Sequence, residues 1–373
     1  MGILKPKYVY KNIKSADFVA RKIVKLEVSK IIIVVDANIR NRMISELLRA
    51  FNLKLNVVKL IEYPGGEPTT EYLNKFLLSI SELDYHAFVG IGGGSTLDFT
   101  KAASVLSTQE LMQDSSDYQG VDFEVNSKKF CICIPSTAGS GAEATKSAVM
   151  FNPKTNIKRG VNNLKVMPDA VFLIPSLISN LPEEIFYPSL FDGITHAYES
   201  LIGKSSTKKT SRLARKSLSL YKKQLRDKQS KESYHKKVLE ASFLAGQAIC
   251  NSETGPVHAL SYPLSEYLKL SHGQAIALVL PKVLLTYKRL DISLVTPLVD
   301  GLGFKDFDSL VNKIQILNQN YNKASIKDYS NFELETFALR SLELKGAINN
   351  SPIVWTYDNS MEVYQSILES SNL

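Results

Sequence analysis

Short, predominantly apolar segments recur through the first half of the chain and predict buried parallel strands. The clearest covers residues 30–35, where Lys-Ile-Ile-Ile-Val-Val is followed by the acid Asp36. Runs of this length that are rich in β-branched residues are typical of strands covered on both faces. Segments of similar character are residues 56–60, 87–91, 130–134 and 168–175.

The segments between these strands have helical periodicity, so the first half of the chain alternates strand and helix. Such alternation predicts an α/β domain built on a parallel sheet. From Leu181 onwards we find only helical patterns, and Pro182 followed by two glutamates is a typical helix start. A chain of 373 residues exceeds what one core usually organises. We therefore predict an α/β domain over residues 1–180 and an all-helical domain over residues 181–373.

Composition and charge restrict the classes of protein that the chain can represent. No run of 18 apolar residues occurs and no apolar leader follows Met1, so we predict a cytoplasmic protein with no membrane partner. The net charge of +8 comes largely from residues 204–237, which hold thirteen Lys or Arg. A basic run can bind nucleic acid or steer an anionic substrate. Its leucines at 213, 218, 220 and 225 instead favour a surface helix with a solvated basic face, so we predict no nucleic-acid partner.

Two pairs of residues have the spacing of metal ligands. Asp192 and His196 stand four apart, so on a helix they lie on one face about one turn apart. His258 and His272 lie fourteen residues apart with Pro263 between them, which places them on neighbouring segments. Each histidine alone is more simply a packed core or surface residue, but the four together favour a site for Fe(II), Zn(II) or another divalent ion.

Two glycine- and hydroxyl-rich loops follow predicted strands. Gly92-Gly93-Gly94-Ser95 separates the 87–91 strand from a helix, and residues 135–143 follow the 130–134 strand. Backbone without side chains can approach a phosphate closely, and a helix N-terminus stabilises the anion. A tight turn between strand and helix would explain the glycines equally well, but two such loops in one α/β domain favour a nucleotide. The three cysteines, Cys131, Cys133 and Cys250, suggest reduced core residues.

With these motifs in place, the chain resembles the iron-containing (group III) alcohol dehydrogenase family over nearly its whole length. The matching motifs are Gly92-Gly-Gly-Ser-Thr-Leu-Asp98 with Lys101, Ile134-Pro-Ser-Thr-Ala-Gly-Ser-Gly-Ala-Glu143, Asp192-Gly-Ile-Thr-His196, and the His258 and His272 pair. The resemblance implies an N-terminal nucleotide domain, a C-terminal helical metal domain, a cleft between them and a homodimer. It also implies an NAD-dependent enzyme that interconverts a primary alcohol and an aldehyde.

The resemblance assigns roles residue by residue. The implied metal ligands are Asp192, His196, His258 and His272. The implied nucleotide-binding residues are Asp36, Gly92, Gly93, Gly94, Ser95, Asp98, Ser136, Thr137, Ser140 and Lys158. Lys158 corresponds to a lysine near the nicotinamide ribose, and Asp36 to an acid that binds the adenosine ribose. Because a carboxylate there would repel a 2′-phosphate, NAD is favoured over NADP.

One position departs from the family pattern. Many members carry a further histidine four residues after the third ligand, where it serves in proton relay, and this chain has Tyr262 there. Tyrosine can pass a proton but is a weaker base at neutral pH than histidine. We therefore count Tyr262 as a catalytic candidate whose relay role is open.

Several substrates fit the same resemblance. The stretch Asp117-Tyr-Gln-Gly120, the loop ending at Thr145 and the Asn251-Ser252 pair are most similar to the branch that oxidises 3-deoxy-octulosonate sugar acids. A reductase of phosphonoacetaldehyde or another anionic aldehyde would use the same site. The related dehydroquinate synthases share the two-domain plan, but their metal set usually begins with Glu and not with an Asp-x-x-x-His pair. A cyclase of that kind is the less favoured alternative.

Overall fold

The computed structural model describes residues 2–39, 41–109, 114–222, 225, 232–322 and 331–371. The chain divides into two compact units. The N-terminal unit comprises Leu4–Asn180 and Ser230–Phe243, and the C-terminal unit comprises Met1–Ile3, Leu181–Gln229 and Leu244–Leu373.

The N-terminal unit is built around a parallel sheet. Its strands are β1 (Tyr8–Tyr10), β2 (Lys30–Asp36), β3 (Asn56–Tyr63), β4 (Ala87–Gly92), β5 (Phe130–Pro135), β6 (Ser147–Asn152), β7 (Ile157–Asn162) and β8 (Ala170–Phe172). Its helices are α1 (Ala16–Lys25), α2 (Arg42–Lys54), α3 (Thr70–Ile80) and α4 (Gly94–Leu106). Six strands pair in the order β1-β8-β5-β4-β2-β3, and every pairing is parallel. The α/β fold predicted from the alternating pattern is confirmed.

Alternation along β2 explains why helices cover both faces of this sheet. Ile31 and Ile33 pack into one core with residues of α1 and α2, whereas Ile32 and Val34 pack into another with residues of α3 and α4. A strand buried on both faces must be apolar at every position, which is the run seen in the sequence. Because these strands are parallel, their carboxyl ends lie at one edge of the sheet. Asp36 and the glycine turn, residues 92–95, lie at that edge.

The pair β6 and β7 forms a separate antiparallel hairpin that the sequence analysis did not predict. Its residues lack a continuous apolar run, and glycine and asparagine interrupt β7. Part of its support comes from outside the hairpin. The Gln119 amide donates to the carbonyl oxygens of Met150 and Arg159 at 2.7 and 3.1 Å, and Gly120 N donates to Gly160 O at 2.9 Å. Long-range hydrogen bonds of this kind leave no periodic signal.

Helices follow from α5 onwards. They are α5 (Glu183–Ile202), α6 (Lys208–Tyr221), α7 (Glu232–Ile249), α8 (Pro256–Leu268), α9 (His272–Leu290), α10 (Thr296–Leu302), α11 (Phe307–Tyr321), α12 (Asn331–Leu342), α13 (Lys345–Asn349) and α14 (Tyr357–Ser371). The start of α5 directly after Pro182 matches the predicted helix start. Among the residues that the structure describes, no helix combines the length and apolarity needed to span a membrane.

One segment of the predicted C-terminal domain, residues 181–373, belongs to the other unit. Residues 230–243 belong to the N-terminal unit. Two ion pairs join this segment to the N-terminal segment, Lys11 with Glu240 at 3.0 Å and Lys14 with Glu232 at 3.1 Å. A division based on the change from strands to helices could not detect contacts between residues more than 200 positions apart.

Two helical segments, α8 with Pro263 and the basic run of residues 204–237, were the subject of specific predictions. Pro263 was expected to separate segments, but α8 runs through it, and the break before α9 comes at residues 269–271 instead. Pro263 removes one backbone hydrogen bond from α8, which packs against α9 and α12. In the basic run, Leu218 and Leu225 are buried, whereas the three lysines at 223, 228 and 231 lie outside the described residues.

Candidate metal centre and nucleotide-binding loops

Three helices bring the four candidate metal ligands together. Asp192 and His196 lie one turn apart in the middle of α5. His258 lies in the first turn of α8, and His272 is the first residue of α9. Asp192, His196 and His258 are buried, and the His272 side chain is 25% exposed.

The ligand atoms converge on one carboxylate oxygen. Asp192 Oδ1 lies 3.6 Å from His196 Nε2, 3.5 Å from His258 Nε2 and 3.5 Å from His272 Nε2. The rings of His196 and His258 are stacked with centroids 4.5 Å apart. Three imidazole nitrogens therefore surround a single oxygen, each too distant for a good hydrogen bond to it.

The ligand atoms of Asp192, His196 and His258 all lie within 4.8 Å of one another, close enough to share one metal ion, and His272 approaches this group through Asp192 Oδ1. A tetrahedral ion about 2.1 Å from each ligand atom places the ligand atoms roughly 3.4 Å apart. Asp192 Oδ1 and His258 Nε2 are buried atoms without a hydrogen-bond partner, an arrangement that is costly in an apolar interior unless an ion occupies the space between them. Three nitrogens and one oxygen suit Fe(II), Zn(II) and similar ions.

Glu199 lies behind this cluster and was not identified from the sequence. Its Oε2 is 2.6 Å from His258 Nδ1, so the opposite ring nitrogen, Nε2, is directed at the ligand cluster. The same carboxylate accepts hydrogen bonds from the backbone N–H groups of Gly255 and Val257, both at 2.7 Å, and so caps the start of α8. In many metal sites a carboxylate accepts a hydrogen bond from the second ring nitrogen of a ligand histidine and so fixes the orientation of the ring. The available signal was spacing, because Glu199 follows Asp192 by seven and His196 by three on one helix face.

The charges of the cluster shift two pKa values. Burial would raise the pKa of Asp192, but His196, His272 and His258 together lower it well below its usual range. Burial would lower the pKa of His258, but Glu199 and then Asp192 favour the imidazolium and raise its pKa to about 9. The metal-free cluster therefore holds a proton on His258 at neutral pH.

A pH dependence of metal binding follows from the His258 proton. An ion must displace that proton, so we expect the apparent affinity for Zn(II) to rise about tenfold per pH unit between pH 7 and 9 and then to level off. Because the folded pKa lies above the unfolded one, the imidazolium stabilises the metal-free fold fully below about pH 6.5, and this stability is lost as the pH rises through about 9. Calorimetric titrations at several pH values, with Tm of the metal-free protein, measure both effects. Affinity independent of pH over this range would contradict the assignment.

Tyr262, the predicted relay candidate, lies beside the cluster. It stands one turn after His258 on α8, and its ring stacks near that of His272 with centroids 6.0 Å apart. The structure thus places the phenol next to a predicted ligand.

The glycine turn packs directly against the second predicted loop. Gly92 and Pro135 are register partners on β4 and β5, and Ser136 N donates to Gly92 O at 2.9 Å, so both loops leave the same sheet edge. A Cβ on Gly94 would come within 2.9 Å of the Ser140 hydroxyl, and one on Gly93 within 3.3 Å of Thr137. The N-cap of α4 is Gly93, which has no capping side chain, and Ser95 lies in the first turn. The N–H groups of this turn suit an anion such as a pyrophosphate.

Asp36 and Asp98, the two acids predicted to bind the nucleotide, have different surroundings. Asp36 ends β2 and is half-buried, and its Oδ1 accepts a hydrogen bond from Asn38 N at 2.9 Å. Asp98 accepts a hydrogen bond from Val149 N at 2.9 Å and pairs with the buried Lys101 at 2.8 Å. The Asp98 carboxylate therefore holds α4 to β6, whereas Asp36 lies at the carboxyl end of β2.

Lys158 lies on β7 of the hairpin and is 5% exposed. Its Nζ pairs with Glu67 Oε1 at 2.8 Å. No motif in the sequence indicates a role for Glu67.

Family models match most of the chain. Residues 6–175 match the model described as iron-containing alcohol dehydrogenase, and residues 188–351 match the C-terminal model of the Fe-containing alcohol dehydrogenase family. Together these ranges contain both predicted loops and all four candidate ligands.

Individual relatives agree with the family models. The 4-hydroxybutyrate dehydrogenase of Clostridium kluyveri is 28% identical over 306 residues, 78% of this chain and 81% of that protein. The sulfoacetaldehyde reductase of Bilophila wadsworthia is 33% identical over 196 residues, which is 52% of this chain and half of that protein. The crystal structure of a sulfoacetaldehyde reductase from Bifidobacterium kashiwanohense in complex with NAD+ has a TM-score of 0.87 at 22% identity, covers 99% of both chains and shows the same fold.

Proposed function

The chain belongs to the iron-containing alcohol dehydrogenase family, and we propose that it interconverts a primary alcohol bearing an acid group with the corresponding aldehyde, using NAD. The convergence of three imidazole nitrogens on Asp192 Oδ1 supports the metal-dependent dehydrogenase. The acid group is inferred from the 4-hydroxybutyrate dehydrogenase and the sulfoacetaldehyde reductase among the relatives. When bound, the metal would supply Lewis acidity toward the substrate oxygen and NAD would take up the hydride, so that the overall reaction of alcohol and NAD+ yields aldehyde, NADH and a proton.

The side chains of the chain have defined tasks in this reaction. Asp192 and the three histidines hold the ion, and Glu199 keeps the His258 ring oriented through Nδ1. The N–H groups at the start of α4 receive the pyrophosphate, beside the hydroxyls of Ser136, Thr137 and Ser140. Asp36 binds the adenosine ribose and disfavours a 2′-phosphate. Tyr262 is the candidate for passing the proton of the reaction to solvent.

The identity of the acid group has two candidates. A 3-deoxy-octulosonate sugar acid is the first, from the resemblance of residues 117–120, 141–145 and 251–252 to that branch. Two of these positions also serve the fold, since Gln119 supports the hairpin and the Ser252 hydroxyl donates to Ser200 Oγ at 2.9 Å. A short ω-hydroxy acid or sulfo- or phosphonoaldehyde is the second candidate, and the hydroxybutyrate and sulfoacetaldehyde relatives favour it. Both candidates carry an anionic group, which is a carboxylate in the sugar acid and a carboxylate, sulfonate or phosphonate in the second class.

The proposal includes a homodimer in the cytoplasm, as the family resemblance implies. A dehydroquinate synthase-like cyclisation is less favoured, because the ligand set here begins with the Asp192 and His196 pair.

Absorbance at 340 nm with Fe(II)-loaded protein and NAD tests the function. 4-Hydroxybutyrate and 1-butanol form a matched pair that differs by the terminal carboxylate, and isethionate and 3-deoxy-octulosonate extend the series. We expect kcat/KM at least about tenfold higher for the acid of the pair, since an ionic contact contributes about 1.5–3 kcal/mol and 1.4 kcal/mol is tenfold.

His258→Ala serves as the control for metal dependence and is expected to show no NADH formation. Equal kcat/KM for the matched pair would refute the acid preference while leaving the dehydrogenase intact. Failure of every alcohol and aldehyde to change the absorbance, with metal and nucleotide bound, would refute the oxidoreductase.

A further inference from the structure

The side-chain amide of Asn350 holds the turn that precedes α8, residues 252–254. Its Nδ2 donates to the carbonyl oxygens of Ser252, Glu253 and Thr254, at 3.0, 3.1 and 2.9 Å. An amide nitrogen carries two hydrogens, so at least one of them is shared between two of these oxygens. Asn350 is 3% exposed, which shields the contacts from water. One buried side chain therefore fastens three consecutive peptide groups.

The backbone of the 252–254 turn is strained and needs such support. Glu253 has a φ of +62°, in the left-handed region that residues with a side chain seldom adopt. Strained backbone of this kind persists where the surrounding contacts hold it in place. We therefore expect the turn to relax when the two donors of the Asn350 amide are removed.

Asn350 also binds the segment that directly follows α5. Its Oδ1 accepts a hydrogen bond from Ser205 N at 2.8 Å, and its backbone oxygen accepts one from Lys204 N at 2.9 Å. A Cβ on Gly203 would come within 2.7 Å of Asn350 Nδ2, so glycine is required there for the close approach. Asn350 thus joins the end of α5, which carries two candidate ligands, to the turn that leads into α8, which carries a third.

A single peptide group connects the 252–254 turn to Glu199. The Thr254 carbonyl oxygen accepts from Asn350, and the N–H of the same peptide, on Gly255, donates to Glu199 Oε2 at 2.7 Å. That carboxylate oxygen is also the one that lies 2.6 Å from His258 Nδ1. Because a peptide group is planar, a rotation that follows loss of the Asn350 contact also turns the Gly255 N–H away from Glu199. The orientation of the carboxylate, and with it that of the imidazole, therefore depends on the Asn350 amide.

We propose that Asn350 is a positioning residue of the metal centre: it acts through Glu199 to direct His258 Nε2 at the ion. The inference rests on the proposed metal-dependent function. Partners that orient a ligand change the affinity for the ion without touching it, because they determine the direction of the ligand atom. A residue that only packs helices together would change the stability of the fold and leave the affinity of the folded protein as it was.

The metal affinity of the folded protein tests this role. In Asn350→Ala we expect the Kd for Zn(II), measured by chelator competition, to rise about tenfold, the lower end of the effect of losing a partner that orients a ligand histidine. Co(II) suits the same nitrogen and oxygen ligands, and its visible absorption, which reports their geometry, should change as it does in Glu199→Gln. In the Glu199→Gln background, Asn350→Ala should raise the Kd by no more than about twofold, because the carboxylate through which it acts is lost.

Two further variants complete the test. Asn350→Asp serves if Asn350→Ala does not fold, since its carboxylate can still accept from Ser205 N but lacks the amide donors, and it should raise the Kd for Zn(II) at least as much. Ser360→Ala is the matched control, because Ser360 is a buried polar residue of the same unit that accepts from Trp355 Nε1 at 3.0 Å. Its replacement should lower the free energy of unfolding and leave the Kd for Zn(II) unchanged.

Urea unfolding of the metal-free variants separates positioning from folding. A lower free energy of unfolding with an unchanged Zn(II) Kd and Co(II) spectrum in the Asn350 variants would overturn the inference. A further tenfold rise of the Kd in the Glu199→Gln background would also overturn it, since Asn350 would then act by another route. If the unmodified protein binds neither Zn(II) nor Co(II), it is the proposed function that fails.

Discussion

Replacement of Asp192 by asparagine is expected to lower kcat/KM about a thousandfold and to abolish stable metal binding. Asp192 is the one anionic group among the four candidate ligands, and its Oδ1 is the atom on which all three imidazoles converge. An amide oxygen is a weaker ligand and carries no charge to offset the ion. If metal-dependent charge stabilisation of about 4 kcal/mol is lost, the rate falls by about three powers of ten.

Metal content after dialysis and initial rates at saturating Fe(II) measure this effect. Glu184→Gln is the control, because Glu184 is an exposed acid on the same helix, α5. It should retain metal and activity. An Asp192→Asn protein that keeps one equivalent of metal and near-normal kcat/KM would remove Asp192 from the ligand set.

Replacement of Glu199 by glutamine is expected to weaken metal binding by about 10- to 100-fold, the usual effect of losing a carboxylate that orients a ligand histidine. It should also destabilise the metal-free protein. Glu199 accepts three hydrogen bonds, from Gly255 N, Val257 N and His258 Nδ1. Loss of the charge weakens each of them, and hydrogen bonds to charged groups contribute about 1.5–3 kcal/mol each.

Glu199 could act by orienting His258 or only by capping α8, and these two roles predict different effects of Glu199→Gln. Chelator titration of the metal-loaded protein gives the affinity, and urea unfolding of the metal-free protein gives the free energy of unfolding. If Glu199 only caps the helix, the unfolding free energy falls while the metal affinity of the folded protein stays unchanged. The orienting role requires both to fall, and Glu199→Asp should restore the affinity only in part because its carboxylate is one methylene shorter.

The sequence was most informative where the physical cause is local. The β-branched run of residues 30–35 has to be apolar because both faces of β2 are covered, and Asp192 and His196 share a face because both lie on one helix. The sequence therefore predicted directly that these two candidate ligands lie side by side on one helix. The grouping of His258 and His272 with that helix followed from residue type, since three histidines and an acid together favour a metal site, and the family resemblance implied the same set.

The sequence was least informative where function depends on long-range contacts. Glu199 reaches His258 across 59 positions, and Glu67 reaches Lys158 through the pairing of two strands that were not predicted. Neither acid lies in a motif that indicates its partner. Asp98 shows the converse, since it lies within a nucleotide motif while its carboxylate binds Val149 N and Lys101.

The placement of the candidate ligands on three helices makes metal occupancy a matter of conformational stability as well as of catalysis. An ion held by α5, α8 and α9 is a cross-link between segments up to 80 positions apart, present only in the folded state. Each tenfold rise in free metal above its Kd then adds about 1.4 kcal/mol to the free energy of unfolding. In a metal-starved cell, the C-terminal unit would accordingly unfold and be degraded more readily than in the metal-loaded protein. The amount of enzyme present would then follow the metal supply.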